Sequence, residues 1–227
     1  MPLIIVAFSG FWYTVYVSFC DHTQYLADGF IGSVYTPYTS IRKGEINMRI
    51  IPAETQCMII DMQEKLVPAM FNKDACEDRV CMLARGLNLL EIPMLITQQY
   101  TKGLGGSLPS VYEAAGTKEF FDKRTFSCAQ DENIVAALQK KNRKNVLICG
   151  TEAHVCVLQT CIDLKALGFQ PILVIDAIAS RKKSDLKAAI KRAMQEGVII
   201  TTAEAVLFEL TVDSRHPKFR DISNVVK

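Results

Sequence analysis

Cysteine and aspartate can do chemistry where a strand ends and a helix begins, and two residues of this sequence stand at such places. Cys156 closes the segment Gly150-Thr151-Glu152-Ala153-His154-Val155-Cys156, after which Val157, Leu158, Cys161, Ile162 and Leu164 form a helical pattern. A thiol in that first turn would meet unpaired amides and the positive end of the helix dipole, which predicts a lowered pKa and a nucleophile. In outline this resembles a nucleophile elbow. A cysteine in a strand-to-helix unit is more often simply packed, so position alone leaves both roles open. Asp61 directly follows the apolar run 57–60, where it can act as a proton acceptor or as an ordinary turn or N-cap aspartate. Gln98-Gln99-Tyr100 follows another apolar run, and Gln99 and Tyr100 are candidates for the pocket. His154 precedes Cys156 by two residues, so the two side chains diverge at a helix start and His154 is expected to flank the pocket instead of serving as its base.

These residues converge only if the elements before them lie side by side. From residue 55 onward short apolar runs alternate with amphipathic stretches, the pattern of strands joined by crossover helices. Buried strands are expected at 57–60, 92–97, 145–149, 171–176 and 198–202, each nearly continuous in Ile, Val, Leu or Met, as doubly covered parallel strands require. Between them, Cys76, Val80, Leu83, Ala84, Leu87 and Leu90 share one face of a helix over 74–90. Leu186, Ala189, Ile190, Ala193 and Met194 do the same before Gly197, which stands where a left-handed C-terminal residue belongs. The interval between Thr97 and Cys149 is an insertion with Gly103, Gly105, Gly106, Pro109 and Gly116 ahead of a helix near 131–141. It leaves a strand's carboxyl end, so it should build part of the site. The fold class is therefore α/β, three layers with a mostly parallel sheet of about six strands, the sixth coming from the insertion or the carboxyl-terminal segment.

Composition narrows the partners. With 227 residues and 49% hydrophobic content the chain can bury a sizeable core. A formal charge of +2 and no basic run longer than Arg181-Lys182-Lys183 argue against a nucleic-acid partner. Cys57, Cys149 and Cys161 lie in apolar stretches without any CxxC pair, which predicts reduced, structural thiols and a cytoplasmic protein. The three histidines, His22, His154 and His216, are far apart in sequence, so no metal site and no cofactor are expected. Residues 1–20 contain no Asp, Glu, Lys, Arg or His, and the first ionisable side chain other than Cys and Tyr is Asp21. A signal peptide would need a positive start and a cleavage site, and a membrane anchor would need flanking Lys or Arg, whereas Asp21 and His22 follow. The remaining reading makes 1–47 an extension foreign to a domain at 48–227.

With these elements in place, CMIIDMQEK around Asp61, FFDKRTFSCA around Lys123 and CGTEAHVCVLQTCIDL around Cys156 resemble the Asp, Lys and Cys motifs of isochorismatase-like hydrolases. EIPMLITQQYTKGLG and the carboxyl-terminal segment resemble the eukaryotic isochorismatase domain-containing proteins, and the resemblance runs from about residue 51 to 227. It implies a homo-oligomeric cysteine hydrolase with catalytic Asp61, Lys123 and Cys156 and a small-molecule substrate. It also implies an oxyanion hole at the backbone amides of Glu152 and Cys156, a cis peptide at Thr151-Glu152, and Phe126 near the pocket. Lys102 in TKGLG is a rival for the lysine role, but Lys123 carries the K-x-x-F-S pattern. Nicotinamidases of the superfamily bind a metal through Asp-x-His and further histidines, and here no histidine lies between His22 and His154. Isochorismatases proper do not rely on the cysteine, so Cys156 points to acyl chemistry on an amide- or carbamoyl-type substrate. The alternative is a silent member that keeps the pocket for binding or assembly.

Overall fold

The computed structural model describes residues 3–8, 11–16 and 49–227, and the chain divides into two units, Met1–Asn47 and Met48–Lys227. In the first unit β1 (Leu3–Phe8) and β2 (Phe11–Tyr16) pair antiparallel, from Leu3 opposite Tyr16 to Phe8 opposite Phe11. Most of the extension expected at 1–47, with His22, lies outside the described residues. Among those described, no helix is long and apolar enough to cross a membrane.

The second unit is built on six parallel strands: β3 (Thr55–Ile60), β4 (Met94–Gln99), β5 (Phe121–Lys123), β6 (Asn145–Thr151), β7 (Gln170–Ala179) and β8 (Ile199–Thr201). Their order across the sheet is β5-β4-β3-β6-β7-β8, and every neighbouring pair is parallel. Because side chains alternate along a strand, each central strand feeds two cores. Cys57 and Ile59 of β3, with Leu147 and Cys149 of β6, pack toward α1 (Lys73–Leu89), α3 (Pro109–Ala115), α7 (Ala203–Thr211) and α8 (Phe219–Val225). Met58, Ile60, Val146 and Ile148 pack on the opposite face toward α4 (Glu132–Lys140), α5 (Leu158–Ala166) and α6 (Lys183–Gln195). The result is the three-layer α/β arrangement.

Two expected strands shift in ways the residues explain. β4 starts at Met94 because Pro93 cannot donate to the ladder. β7 runs through Asp176 to Ala179, since the register slips between Ile148 and Gly150 and resumes with Gly150 opposite Ile178. Asp176 therefore lies within a strand, and its Oδ1 accepts the Ala203 amide at 2.9 Å, at the start of α7. The sixth strand comes from the insertion as the short edge strand β5, and the same insertion carries α2 (Thr101–Leu104).

The chain moves from β3 outward to β4 and β5, then returns to place β6 on the other side of β3. Where strand order reverses in this way, a crevice opens outside the carboxyl ends. Here those ends are Ile60-Asp61 and Thr151-Glu152.

Candidate active site

The close pairing of β3 and β6 requires glycine at 150. Its φ is +109°, and a Cβ there would lie 2.0 Å from the Ile60 carbonyl oxygen. The next residue on each strand then meets the other: Thr151 Oγ1 donates to the Asp61 carbonyl at 2.7 Å. Asp61 has φ of +49°, a left-handed conformation that aspartate tolerates better than most side chains. Its amide donates to Thr97 O at 3.1 Å.

The Asp61 carboxylate and the Lys123 ammonium are both fully buried, with Nζ 2.7 Å from Oδ2. Thr97 Oγ1 donates to the other oxygen, Oδ1, at 2.8 Å. The ammonium also donates to Gln99 Oε1 at 2.8 Å and to the carbonyls of Thr125 and Phe126, each at 3.2 Å. Burial by itself would lower the Lys123 pKa, but the Asp61 carboxylate and the neighbouring Cys128 and Cys156 groups outweigh it and raise the value. Lys102 is exposed on α2, while Lys123 makes the contact with Asp61.

Cys156 lies in a π-helical turn, Ala153–Val157, that leads into α5, and only 5% of the residue is exposed. Its thiol is affected by burial first and the Asp61 carboxylate second, which together push it up to about 12 from an ordinary 9.0 against the pull of Lys123. This reverses the lowered thiol pKa expected from the helix start: desolvation and a facing carboxylate exceed the dipole. The Thr151-Glu152 peptide is cis. The Glu152 carbonyl accepts the Val155 and Val157 amides at 3.0 and 3.2 Å, while no described backbone acceptor takes the Glu152 amide.

The other expected pocket residues divide. Gln99 reaches the ammonium directly. Tyr100 and Phe126 are both exposed, with the Arg124 guanidinium 4.1 Å from the Tyr100 centroid. His154 turns away from the carboxylate: its Nδ1 lies 3.0 Å from Ser180 Oγ and its Nε2 3.9 Å from Asp185 Oδ2. Sequence reasoning missed Gln63, whose Nε2 donates to Gln99 O at 3.1 Å and Gly105 O at 2.7 Å. Its Oε1 accepts the Gln99 amide at 2.7 Å, tying the Asp61 loop to the end of β4. It also missed Arg181, which binds the Glu152 carboxylate. Gln63 stands at the second position after Asp61, so the residues present do not form an Asp-x-His donor pair. Among the described residues no group of three or more His, Cys, Asp or Glu is arranged to hold a metal ion.

Three cavities lie away from this cluster. One of about 540 Å³ is lined by Glu54, Arg143, Lys144 and Phe169, and one of about 730 Å³ by Glu64, Ser107, Tyr112 and Lys118. A third of about 500 Å³ is lined by Arg85, Asn88, Glu91 and Lys218. None of the three touches Asp61, Lys123 or Cys156.

A three-layer parallel sheet with a buried acid, ammonium and thiol at its switch point defines a class, and the isochorismatase domain model matches residues 55–205. The chain belongs to the isochorismatase family. It is 35% identical over 178 residues to isochorismatase domain-containing protein 1 of Salmo salar, a match covering 78% of this chain and 62% of that protein. The chain thus spans about three-fifths of that relative's length. Isochorismatase domain-containing protein 2 of Bos taurus is 34% identical over 187 residues, covering 79% of this chain and 86% of its own. Among solved structures, the MAR1 ribonuclease from Caenorhabditis elegans superposes with a TM-score of 0.73 at 35% identity, covering 78% of this chain and 92% of that one.

Proposed function

We propose that this protein is a metal-independent cysteine hydrolase that cleaves a small amide- or carbamoyl-type substrate through an acyl-thioester on Cys156. The observation that carries the reading is the buried Asp61–Lys123 pair at 2.7 Å beside a nearly buried thiol that responds to both charges. A thiol held near 12 is neutral at neutral pH, so the nucleophile forms during attack: Asp61 accepts the proton as sulfur bonds to the carbonyl carbon. Thr97 and Lys123 fix the two carboxylate oxygens, and each oxygen keeps a lone pair for that proton. The developing oxyanion would be received by the amides of Glu152 and Cys156. Collapse expels the amine with the proton from Asp61, and a water activated by the same carboxylate then hydrolyses the thioester.

The name of the Caenorhabditis elegans relative favours a second reading, a phosphodiester substrate. Turnover assays on a panel of small amides, carbamoyl compounds and RNA oligonucleotides separate the two readings, with Asp61→Asn and Cys156→Ala as controls. Amide or carbamoyl hydrolysis lost in both variants supports the proposal. RNA cleavage lost in both, without any amide turnover, would replace it, and no turnover at all would favour a member that only binds.

A further inference from the structure

We propose that Arg181 is a positioning residue for the oxyanion-binding turn: by gripping the Glu152 carboxylate it holds the Glu152 amide where a tetrahedral intermediate would need it. The inference rests on the reading of Cys156 as the nucleophile. Arg181 comes two residues after β7, and the register that sets Thr151 opposite Ala179 brings it beside Glu152. Its Nε donates to Glu152 Oε2 at 2.7 Å and its Nη2 to Oε1 at 3.1 Å, a forked two-bond contact. The two partners differ in environment: the Arg181 side chain is 59% exposed and that of Glu152 only 10%.

Glu152 thus joins three functions in one residue. Its side chain is anchored to the end of β7, its carbonyl begins the turn that carries Cys156, and its amide has no described backbone acceptor. The adjacent contact between His154 and Ser180 fastens the same turn to the same strand end. Without the guanidinium, a nearly buried carboxylate would be left unpaired and would turn toward water. Its backbone would follow, and a displacement near 1 Å is enough to cost a large factor in rate. The stability of the fold should change little, since an ion pair with an exposed partner contributes little to it. Lysine could replace one of the two contacts but not the planar fork.

The test uses butyraldehyde as probe, on the full chain. The Cys156 sulfur bonds to the aldehyde carbon as the carbonyl π bond opens, and the thiol proton ends on the former carbonyl oxygen, so nothing leaves and nothing is oxidised. Affinity is read as protection of Cys156 from iodoacetamide, by mass spectrometry. Arg181→Met should raise the aldehyde dissociation constant by about tenfold or more, as expected for a misplaced oxyanion donor. Its alkylation rate without aldehyde should stay within about twofold of wild type, because that displacement builds no oxyanion, and Arg181→Lys should fall between. Unchanged aldehyde affinity in Arg181→Met would overturn the inference. So would a loss matched by an equal fall in alkylation rate, which would give Arg181 only a general role in folding the turn. If the wild-type protein itself forms no adduct at Cys156, the nucleophile reading fails and this inference with it.

Discussion

Asp61 and Lys123 face each other with neither side chain exposed, so each charge depends on the other. Removing one partner leaves a buried uncompensated charge, and Lys123→Met or Asp61→Asn should each destabilise the protein by about 3–5 kcal/mol. The double variant should recover much of that loss, and chemical denaturation of the four proteins checks it. Cys156 gives a separate prediction. Because the Asp61 carboxylate helps hold its thiol near 12, iodoacetamide labelling should rise only above the usual thiol range, and Asp61→Asn should move the profile to lower pH. A wild-type profile centred below pH 8 would contradict the electrostatics. The candidate residues Asp61 and Cys156 were legible in the sequence because strand ends announce themselves. The raised thiol was not, because the desolvating atoms and the facing carboxylate are brought in by elements 95 residues away in Asp61 and by the whole sheet.

At the scale of elements, β3 and β6 form the junction on which the site depends. Gly150→Ala should place a Cβ against the Ile60 carbonyl, where the backbone cannot yield cheaply. A loss of about 2–4 kcal/mol is expected, read from denaturant midpoints, together with loss of whatever activity the wild type shows. Three- and four-residue periodicity revealed α1 and α6, although Met194 of the expected α6 stripe is exposed, and continuous apolar runs revealed the central strands β3 and β6, which are buried along their whole length. It could not reveal that β7 passes through Asp176, because a charged residue inside a strand looks like its end until the carboxylate is seen to meet the Ala203 amide. Nor could it reveal the Gln63, Arg181 and Ser180 contacts, which join segments 26 to 42 residues apart.

For the whole molecule, the second unit begins at Met48, and its first strand, β3, begins at Thr55. We therefore expect residues 48–227 to fold alone and to form the homo-oligomer suggested at the sequence level, as light scattering can check; aggregation of this fragment alone would show that 1–47 covers apolar surface. Burial raises Cys128 to about 11 and Cys161 to about 12, as it does Cys156. Raised folded-state values mean that these thiols favour the fold fully only below the unfolded value near 9, and that this support is lost as pH rises toward 11–12. Each contributes a slope of about 1.4 kcal/mol per pH unit in that window. The melting temperature should therefore drop steeply between pH 9 and 11. The donor set around Asp61 also predicts that activity survives EDTA; loss restored by zinc or manganese would contradict it.

The central claim is that Cys156 carries the acyl group, and intact-mass spectrometry of the protein quenched in acid during turnover of an active amide or carbamoyl substrate tests it most directly. A mass increase equal to the acyl group is expected, located on the peptide containing Cys156 and absent from Cys156→Ala. Steady turnover in a Cys156→Ala protein, or an acyl group found on any other residue, would contradict it.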